Sequence, residues 1–135
     1  MKYISIFVML ILFSGCVNSR DKTLGTQKTQ VQTRSYQTET FDDISREELL
    51  QAAIATLQDL GFVIMHGDYN LGLVSAKKLG YAPIKMTLTT RKKNKNQILL
   101  RASGQQGIHE ITDVGFYNQF FASVRKSLFL DKSGS

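Results

Sequence analysis

The spacing of apolar residues changes twice along this chain, and the two changes limit the folds open to it. The first regular segment places apolar residues at i, i+3, i+4 and i+7, as one buried face of a helix requires. These residues are Leu50, Ala53, Ile54 and Leu57. From residue 62 onward, apolar and polar residues alternate instead, which predicts strands with one buried face. A helical spacing returns near residue 114, so the sequence predicts an α+β fold.

The first predicted helix is defined by two residues at its start and a glycine at its end. Ser45 and Glu48 have the spacing of a capping box, in which each side chain accepts a hydrogen bond from the other residue's backbone amide. Gly61 stands where a left-handed residue commonly ends a helix. Together these signals predict a helix between Ser45 and Gly61.

Five segments have the composition of strands, and a second helix closes the chain. The predicted strands cover residues 34–41, 62–66, 73–79, a segment that begins at Pro83, and 97–105. Asp113 is the predicted N-cap of the closing helix. The apolar stripe of this helix is Val114, Tyr117, Phe120, Phe121, Val124 and Leu128. The predicted order is β-α-β-β-β-β-α, a single domain with a mostly antiparallel, four- to five-stranded sheet packed on one face by two helices.

The first fifteen residues have the pattern of a signal peptide. Lys2 supplies a positive charge, and an apolar run follows over residues 3–13, interrupted by the small polar Ser5. As a helix, this run would rise about 16 Å at roughly 1.5 Å per residue. That rise is about half of the ~30 Å hydrocarbon core of a bilayer, so the run is too short to span a membrane.

The stretch Phe13-Ser14-Gly15-Cys16 resembles the bacterial lipobox, in which small residues precede a cysteine that is acylated and becomes the new N-terminus. The resemblance implies cleavage after residue 15 and a covalent lipid on Cys16, the single cysteine of the chain. Phe13 stands where the lipobox prefers leucine. An ordinary signal peptide that happens to carry a cysteine is the alternative. Because valine, and not aspartate, follows the cysteine, the sorting rule of enterobacteria implies the outer membrane. We expect the domain to face the periplasm, and exposure at the cell surface is the alternative.

The predicted anchor divides the chain into three parts. Residues 1–15 are the cleaved signal peptide, residues 16–33 are the acylated N-terminus with a flexible tether, and residues 34–131 are the globular domain. The tether has few apolar residues and many Thr, Gln and Lys. Its flexible residues have a root-mean-square reach of roughly 20–25 Å.

Three stretches of the folded part carry a pattern known from other proteins. They are the helix end "LQDLGFVI", the strand "LGLVSAKK" and the closing helix "FYNQFFASVRKSLFL". Over residues 36–130 this pattern resembles the small α+β domains of envelope lipoproteins, including those of the C lipoprotein of the outer-membrane β-barrel assembly machinery. The resemblance implies the same architecture and the binding of partner proteins, and it implies no catalytic residue.

The net charge of +6 predicts attraction to anionic partners. Its densest cluster is Arg91, Lys92, Lys93 and Lys95, in a predicted hairpin tip. Near a bilayer each such charge contributes on the order of 1 kcal/mol, so the cluster is a candidate site for anionic lipid. The alternative is that these charges keep the sheet edge soluble. We expect no nucleic-acid partner, because an exported protein meets little nucleic acid and the cluster lacks interleaved aromatic residues.

Residues with catalytic chemistry are sparse. His109, Glu110 and Asp113 lie close in sequence, but a zinc site needs three protein ligands and no second histidine follows at i+4. We interpret this segment as a polar loop before the closing helix. No metal, and no cofactor besides the lipid on Cys16, is expected. A hydrolase that uses His109 and Glu110 is the weakest alternative.

Three apolar residues near the C-terminus fall away from the centre of the closing helical stripe. They are Phe116, Phe129 and Leu130. Either the helix ends before Phe129 and the tail folds back on the core, or these side chains contact a partner protein.

The sequence as a whole predicts a lipid-anchored, non-enzymatic accessory or binding subunit of an envelope complex. Efflux, secretion and outer-membrane assembly machinery are the candidate hosts, and they are not ranked. The alternative is a domain that binds or carries an anionic lipid or glycan against its sheet.

Overall fold

The computed structural model describes residues 30–134 of the 135-residue chain. Its strands are β1 (Thr38–Asp42), β2 (Val63–Asp68), β3 (Leu73–Lys78), β4 (Ile84–Lys92), β5 (Gln97–Gln106) and β6 (His109–Glu110), and its helices are α1 (Arg46–Asp59) and α2 (Val114–Ser133). This confirms the predicted α+β class and element order, with β6 as an additional short strand before α2. The predicted signal peptide, Cys16 and residues 17–29 of the tether lie outside the described residues.

The strands form one antiparallel sheet in the order β1-β5-β4-β3-β2. β2 to β5 are consecutive hairpin neighbours, and β1 joins the free side of β5. The two residues of β6 pair with the last two residues of β5, beyond the end of β1. The long strand β5 is therefore flanked along its length on both sides, because β1 and β6 share one of its edges.

Alternate residues of the strands face the two helices and form the core. The strand side chains of this inner face are Val74, Ala76, Met86, Leu88, Ile98, Leu100 and Ala102. The buried helix side chains packed on them are Leu49, Leu50, Ala53, Leu57, Tyr117, Phe120, Phe121 and Val124. The predicted helical stripes are confirmed with three exceptions, since Ile54 and Leu128 are only partly buried and Val114 is exposed.

The signals at the helix ends are confirmed. Ser45 Oγ accepts a hydrogen bond from the backbone N–H of Glu48 at 3.1 Å, and Glu48 Oε2 accepts one from the Ser45 N–H at 2.9 Å. The side-chain and backbone hydrogen bonds of Ser45 lower the pKa of the Glu48 carboxyl. Gly61 adopts the left-handed φ of 83° just past α1. Asp113 caps α2 by accepting from the Gly115 N–H at 3.0 Å.

The prediction of a strand from residue 34 is wrong at its start. Residues 30–36 are helical, and β1 begins at Thr38. Tertiary contacts explain the difference, because the Tyr36 ring lies 5.8 Å from the Tyr117 ring and its hydroxyl donates to the Thr112 carbonyl at 3.0 Å. The last residues assigned to the tether, 30–33, belong to the same helical segment.

Two further boundaries differ from the prediction. Arg91 and Lys92 belong to β4, where they pair with Leu99 and Ile98, so the hairpin tip is shorter than predicted and comprises residues 93–96. Helix α2 continues to Ser133, so the tail does not fold back before Phe129. Among the described residues, no helix combines the length and hydrophobicity needed to cross a membrane.

Candidate functional site

The outer face of the sheet, defined as the face opposite α1 and α2, is polar and carries arginines from two neighbouring strands. The register pairs Arg101 of β5 with Thr89 of β4 on one side and with Thr38 of β1 on the other. Arg91 of β4 is paired with Leu99 of β5. Arg91 and Arg101 are therefore diagonal neighbours on the same face, where long side chains meet.

Arg91, Arg101 and their neighbours line a cavity of about 480 Å³, which we name the arginine cavity. Arg34, from the helical segment that precedes β1, supplies a third guanidinium. The lining residues are Arg34, Thr38, Thr89, Thr90, Arg91, Leu99 and Arg101. Leu99 and Arg101 are half-buried, while Arg34 and Arg91 are exposed. Among the described residues, no carboxylate lines this cavity.

The predicted basic cluster is divided between the two faces of the sheet. Arg91 lines the arginine cavity on the outer face. Lys92 and Lys95 line a second cavity, of about 610 Å³, beside Ser45 at the start of α1. Lys93 is exposed at the hairpin tip. The four charges therefore do not form one surface, because consecutive strand residues point to opposite faces.

A buried polar network lies directly behind Arg101. Gln37 is fully buried, and its Nε2 donates to Glu110 Oε1 at 2.9 Å and to the Tyr117 hydroxyl at 3.1 Å. With both amide protons engaged, Gln37 Oε1 is left to accept from Arg101 Nη2 at 3.5 Å. The amide orientation of Gln37 is thus fixed by its neighbours, and it turns Oε1 toward Arg101.

Tyr117 links this network to the sheet and to the segment before α2. Its hydroxyl donates to the Ile111 carbonyl at 2.7 Å and accepts from the Gly104 N–H at 3.0 Å. Burial raises the pKa of the Tyr117 phenol above its ordinary value, because the charged form would lose its hydration. The phenol therefore stays neutral and acts as a structural donor and acceptor.

The residues of the weakest functional alternative, the hydrolase, pair with the end of β5. His109 and Glu110 form the exposed strand β6, where we predicted a loop. Glu110 accepts from Gln37, and among the described residues no group of three metal-ligating side chains gathers around either residue. The visible role of Glu110 is to hold Gln37 in place.

One end of the sheet exposes large apolar side chains. Leu79 and Tyr81 lie in the loop between β3 and β4, and Ile108 lies in the turn between β5 and β6. The register brings the loop and the turn together, because Ile84 pairs with both Lys78 and Gln106. Leu79 is 70% exposed, Ile108 is 91% exposed and Tyr81 is fully exposed. We name Leu79, Tyr81 and Ile108 the apolar end surface.

The three residues predicted to contact a partner near the C-terminus have different environments. Phe116 is partly buried against the core, and its ring meets the Tyr117 ring edge-on at 5.2 Å. Phe129 and Leu130 are exposed in the last turns of α2. The internal contacts of Phe116 account for its position, whereas Phe129 and Leu130 remain candidates for a partner contact.

Sequence reasoning missed Arg34, Arg101 and Gln37 as site residues. The alternation of β4 and β5 carried a usable signal, since it puts both Arg91 and Arg101 opposite the buried residues Leu88 and Leu100. The apolar end surface was also missed, because isolated apolar residues in loops form no periodic pattern.

Comparison with known proteins gives little to add to this geometry. No protein-family model and no curated protein matches the chain. One solved structure similar in shape is the adenylate sensor from AMP-activated protein kinase in complex with 5-aminoimidazole-4-carboxamide 1-beta-D-ribofuranotide. It is 11% identical, with a TM-score of 0.48, over 67% of this chain and 94% of the other. A likeness of this strength carries no argument about the ligand of this chain.

Proposed function

We propose that this chain is a bacterial outer-membrane lipoprotein, anchored through Cys16, whose domain is a non-enzymatic binding subunit of an envelope complex. The lipobox-like stretch that ends in Cys16 supports the anchor. A lipid anchor with two or more acyl chains holds a protein stably on a membrane. The tether then keeps the domain within a few tens of ångströms of the bilayer.

The apolar end surface is the observation that carries the binding role. Its three side chains come from two separate connections that the pairing of β3, β4 and β5 holds side by side. Exposed apolar groups that lie together commonly mark contact sites, and tyrosine is enriched among residues that dominate binding energy. A partner protein with a complementary apolar pocket would remove these groups from water.

Site-specific photocrosslinking tests this proposal on the full chain in its native membrane. A photoreactive amino acid replaces Leu79 in one variant and Leu71 in the other. Leu71 is a matched control, because it is 72% exposed and lies beyond the opposite end of β3. We expect a discrete, stoichiometric protein adduct from position 79 and none from position 71.

Serine substitutions provide an independent check of the same surface. The photoreactive amino acid is placed at a third exposed position for this check. A triple variant should then lose the adduct; it carries Leu79→Ser, Tyr81→Ser and Ile108→Ser. The control variant Leu71→Ser should keep the adduct unchanged. A crosslinker at Phe129 tests the exposed end of α2 in the same membranes. If positions 79 and 129 both fail to give a protein adduct, the proposed binding role is wrong.

A further inference from the structure

We propose that the arginine cavity is a binding site for an organic phosphate, a phosphorylated group of about the size of a sugar or glycerol. This site lies on the outer face of the sheet. It is independent of the partner-binding role proposed for the apolar end surface, because the two surfaces share no residue.

The charge of the cavity is the first argument. Arg34, Arg91 and Arg101 all line the cavity, and no carboxylate is among its described lining residues. Arg125 and Glu39 form an ion pair outside the cavity. Asp42 belongs to the strand β1 that flanks the cavity, but its carboxylate already accepts from Gln97 Nε2 at 2.6 Å. Three clustered guanidiniums repel one another, and a bound anion relieves that repulsion.

The contact of Arg101 with the buried Gln37 is the second argument. Its Nη2 points to Gln37 Oε1, and Gln37 is itself held by Tyr117 and Glu110. A guanidinium has five N–H donors, so this bond leaves most of them for a ligand. Arg101 is therefore half-buried and contacts a network in which Gln37 and Tyr117 are fully buried.

The shape and lining of the cavity identify the class of ligand. A guanidinium fork matches two oxygens of a phosphate, which makes arginine a preferred phosphate ligand. The volume of about 480 Å³ exceeds what a single inorganic phosphate fills and lies within the range of small-molecule sites. Thr38 and Thr89 offer hydroxyls on either side of Arg101, and Leu99 offers an apolar floor. These groups suit the carbon-bearing part of a phosphate ester.

Two sources can supply this chemistry: a soluble phosphate ester and the headgroup of an anionic phospholipid. Arginine footprinting with phenylglyoxal, read by mass spectrometry, measures the binding of either ligand to the full chain. The soluble probe is glucose 6-phosphate added to the chain in non-ionic detergent, with glucose as its neutral control. The lipid probe is phosphatidylglycerol in phosphatidylcholine nanodiscs, with pure phosphatidylcholine as its control.

We expect one of the two probes to protect Arg91 and Arg101 from modification while Arg125 keeps its reactivity. Protection by glucose 6-phosphate assigns a soluble ester, and protection in the phosphatidylglycerol discs alone assigns a lipid headgroup. If neither probe protects the two arginines, or if Arg125 is protected equally, the site is disproved.

A pair of charge-matched variants separates a defined site from general attraction to positive charge. Arg34→Gln, Arg91→Gln and Arg101→Gln remove three charges from the cavity, and Lys92→Gln, Lys93→Gln and Lys95→Gln remove three from the neighbouring hairpin. Binding of the protecting probe should weaken about tenfold or more in the cavity variant. It should change less than about threefold in the hairpin variant, because these lysines lie outside the cavity.

The single substitution Arg91→Gln keeps the test decisive if the triple cavity variant fails to fold. Arg91 is exposed and has no part in the Gln37 network. The circular dichroism spectrum and melting temperature of the Arg91→Gln variant should therefore match those of the unsubstituted chain. Its binding should still weaken about tenfold. Equal losses in the Arg91→Gln chain and in the hairpin variant would overturn the proposal.

Discussion

At the scale of single residues, Gln37 is the junction between the core and the outer face. It bonds Tyr117 and Glu110 through Nε2 and Arg101 through Oε1, and its backbone carbonyl accepts from the Ala102 N–H at 2.8 Å. A fully buried amide is stable only when its polar atoms are paired. Arg101 thus contacts a residue that is fully buried.

We predict that Gln37→Leu destabilises the domain by about 1–3 kcal/mol, because it removes the side-chain hydrogen bonds that Gln37 makes to Tyr117, Glu110 and Arg101. The free energy of unfolding in urea measures the loss. Gln58→Leu is the control, since Gln58 is exposed on α1 and the same change there should alter stability by less than about 0.5 kcal/mol. Equal midpoints for the two variants would contradict the role of the network.

Because of Tyr117, we predict that the stability of the domain falls at alkaline pH. The pKa of Tyr117 in the folded state is raised above the ordinary value of 10.0. The stabilisation by its neutral phenol is therefore complete below pH 10.0 and is lost as the pH rises through the higher folded pKa. Urea unfolding from about pH 8 to about pH 11 should show a shallower alkaline decline for Tyr117→Phe than for the unsubstituted chain.

The control for this titration is Tyr81→Phe, because Tyr81 is fully exposed. Its alkaline decline should follow that of the unsubstituted chain. An unchanged decline in Tyr117→Phe would show that other groups govern alkaline stability.

The face of the sheet on which each strand residue lies was predictable from the sequence. The residues that become its neighbours on other strands were not. Alternation sorts Arg91 and Arg101 to the outer face, but only the register shows that they meet. The burial of Gln37 had no sequence signal, because it is one glutamine in a polar stretch. Its role depends on Tyr117, which is eighty positions away.

At the scale of elements, the turn between β2 and β3 lies close to β4 at Gly72. Gly72 has a φ of 67°, and a Cβ placed on it would lie 2.1 Å from Thr90 Oγ1. Its carbonyl accepts from the Thr90 N–H at 2.8 Å. The turn therefore needs glycine both for its left-handed conformation and for the missing side chain.

We predict that Gly72→Ala destabilises the domain by about 2 kcal/mol or more, from left-handed strain and the contact with Thr90. Gly67→Ala in the same hairpin is the control, because a Cβ there meets nothing within 4 Å. In thermal unfolding, Gly72→Ala should melt at a lower temperature than the unsubstituted chain. Gly67→Ala should melt within a few degrees of the unsubstituted chain. Equal melting temperatures would contradict this account of the turn.

Elements with local signals were predicted well. The capping box of Ser45 and Glu48 and the Asp113 cap are local, so the sequence located the starts of α1 and α2. The helical segment 30–36 was missed because contacts of Tyr36 with the segment before α2 override the strand preference of its residues. The extent of α2 was missed because exposed Phe129 and Leu130 do not continue its buried face.

At the scale of the whole molecule, the domain separates its surfaces. The helices cover the inner face, the arginine cavity lies on the outer face, and the apolar end surface occupies one end of the sheet. The fold class and layer arrangement follow from hydrophobic period and helix caps. Neither binding surface follows from them, since each combines residues from separate elements that meet only in the folded sheet.

The anchor is the central claim of the proposed function, because it decides which partners and lipids the domain can meet. Intact-mass spectrometry of the full-length gene product, extracted from membranes of a lipoprotein-processing bacterium, tests it directly. We expect a mature chain that begins at Cys16 and carries diacylglyceryl and acyl groups, and we expect Cys16→Ser to abolish this mass. A membrane-extracted chain that begins at any other residue, or that carries an unmodified Cys16, would contradict it.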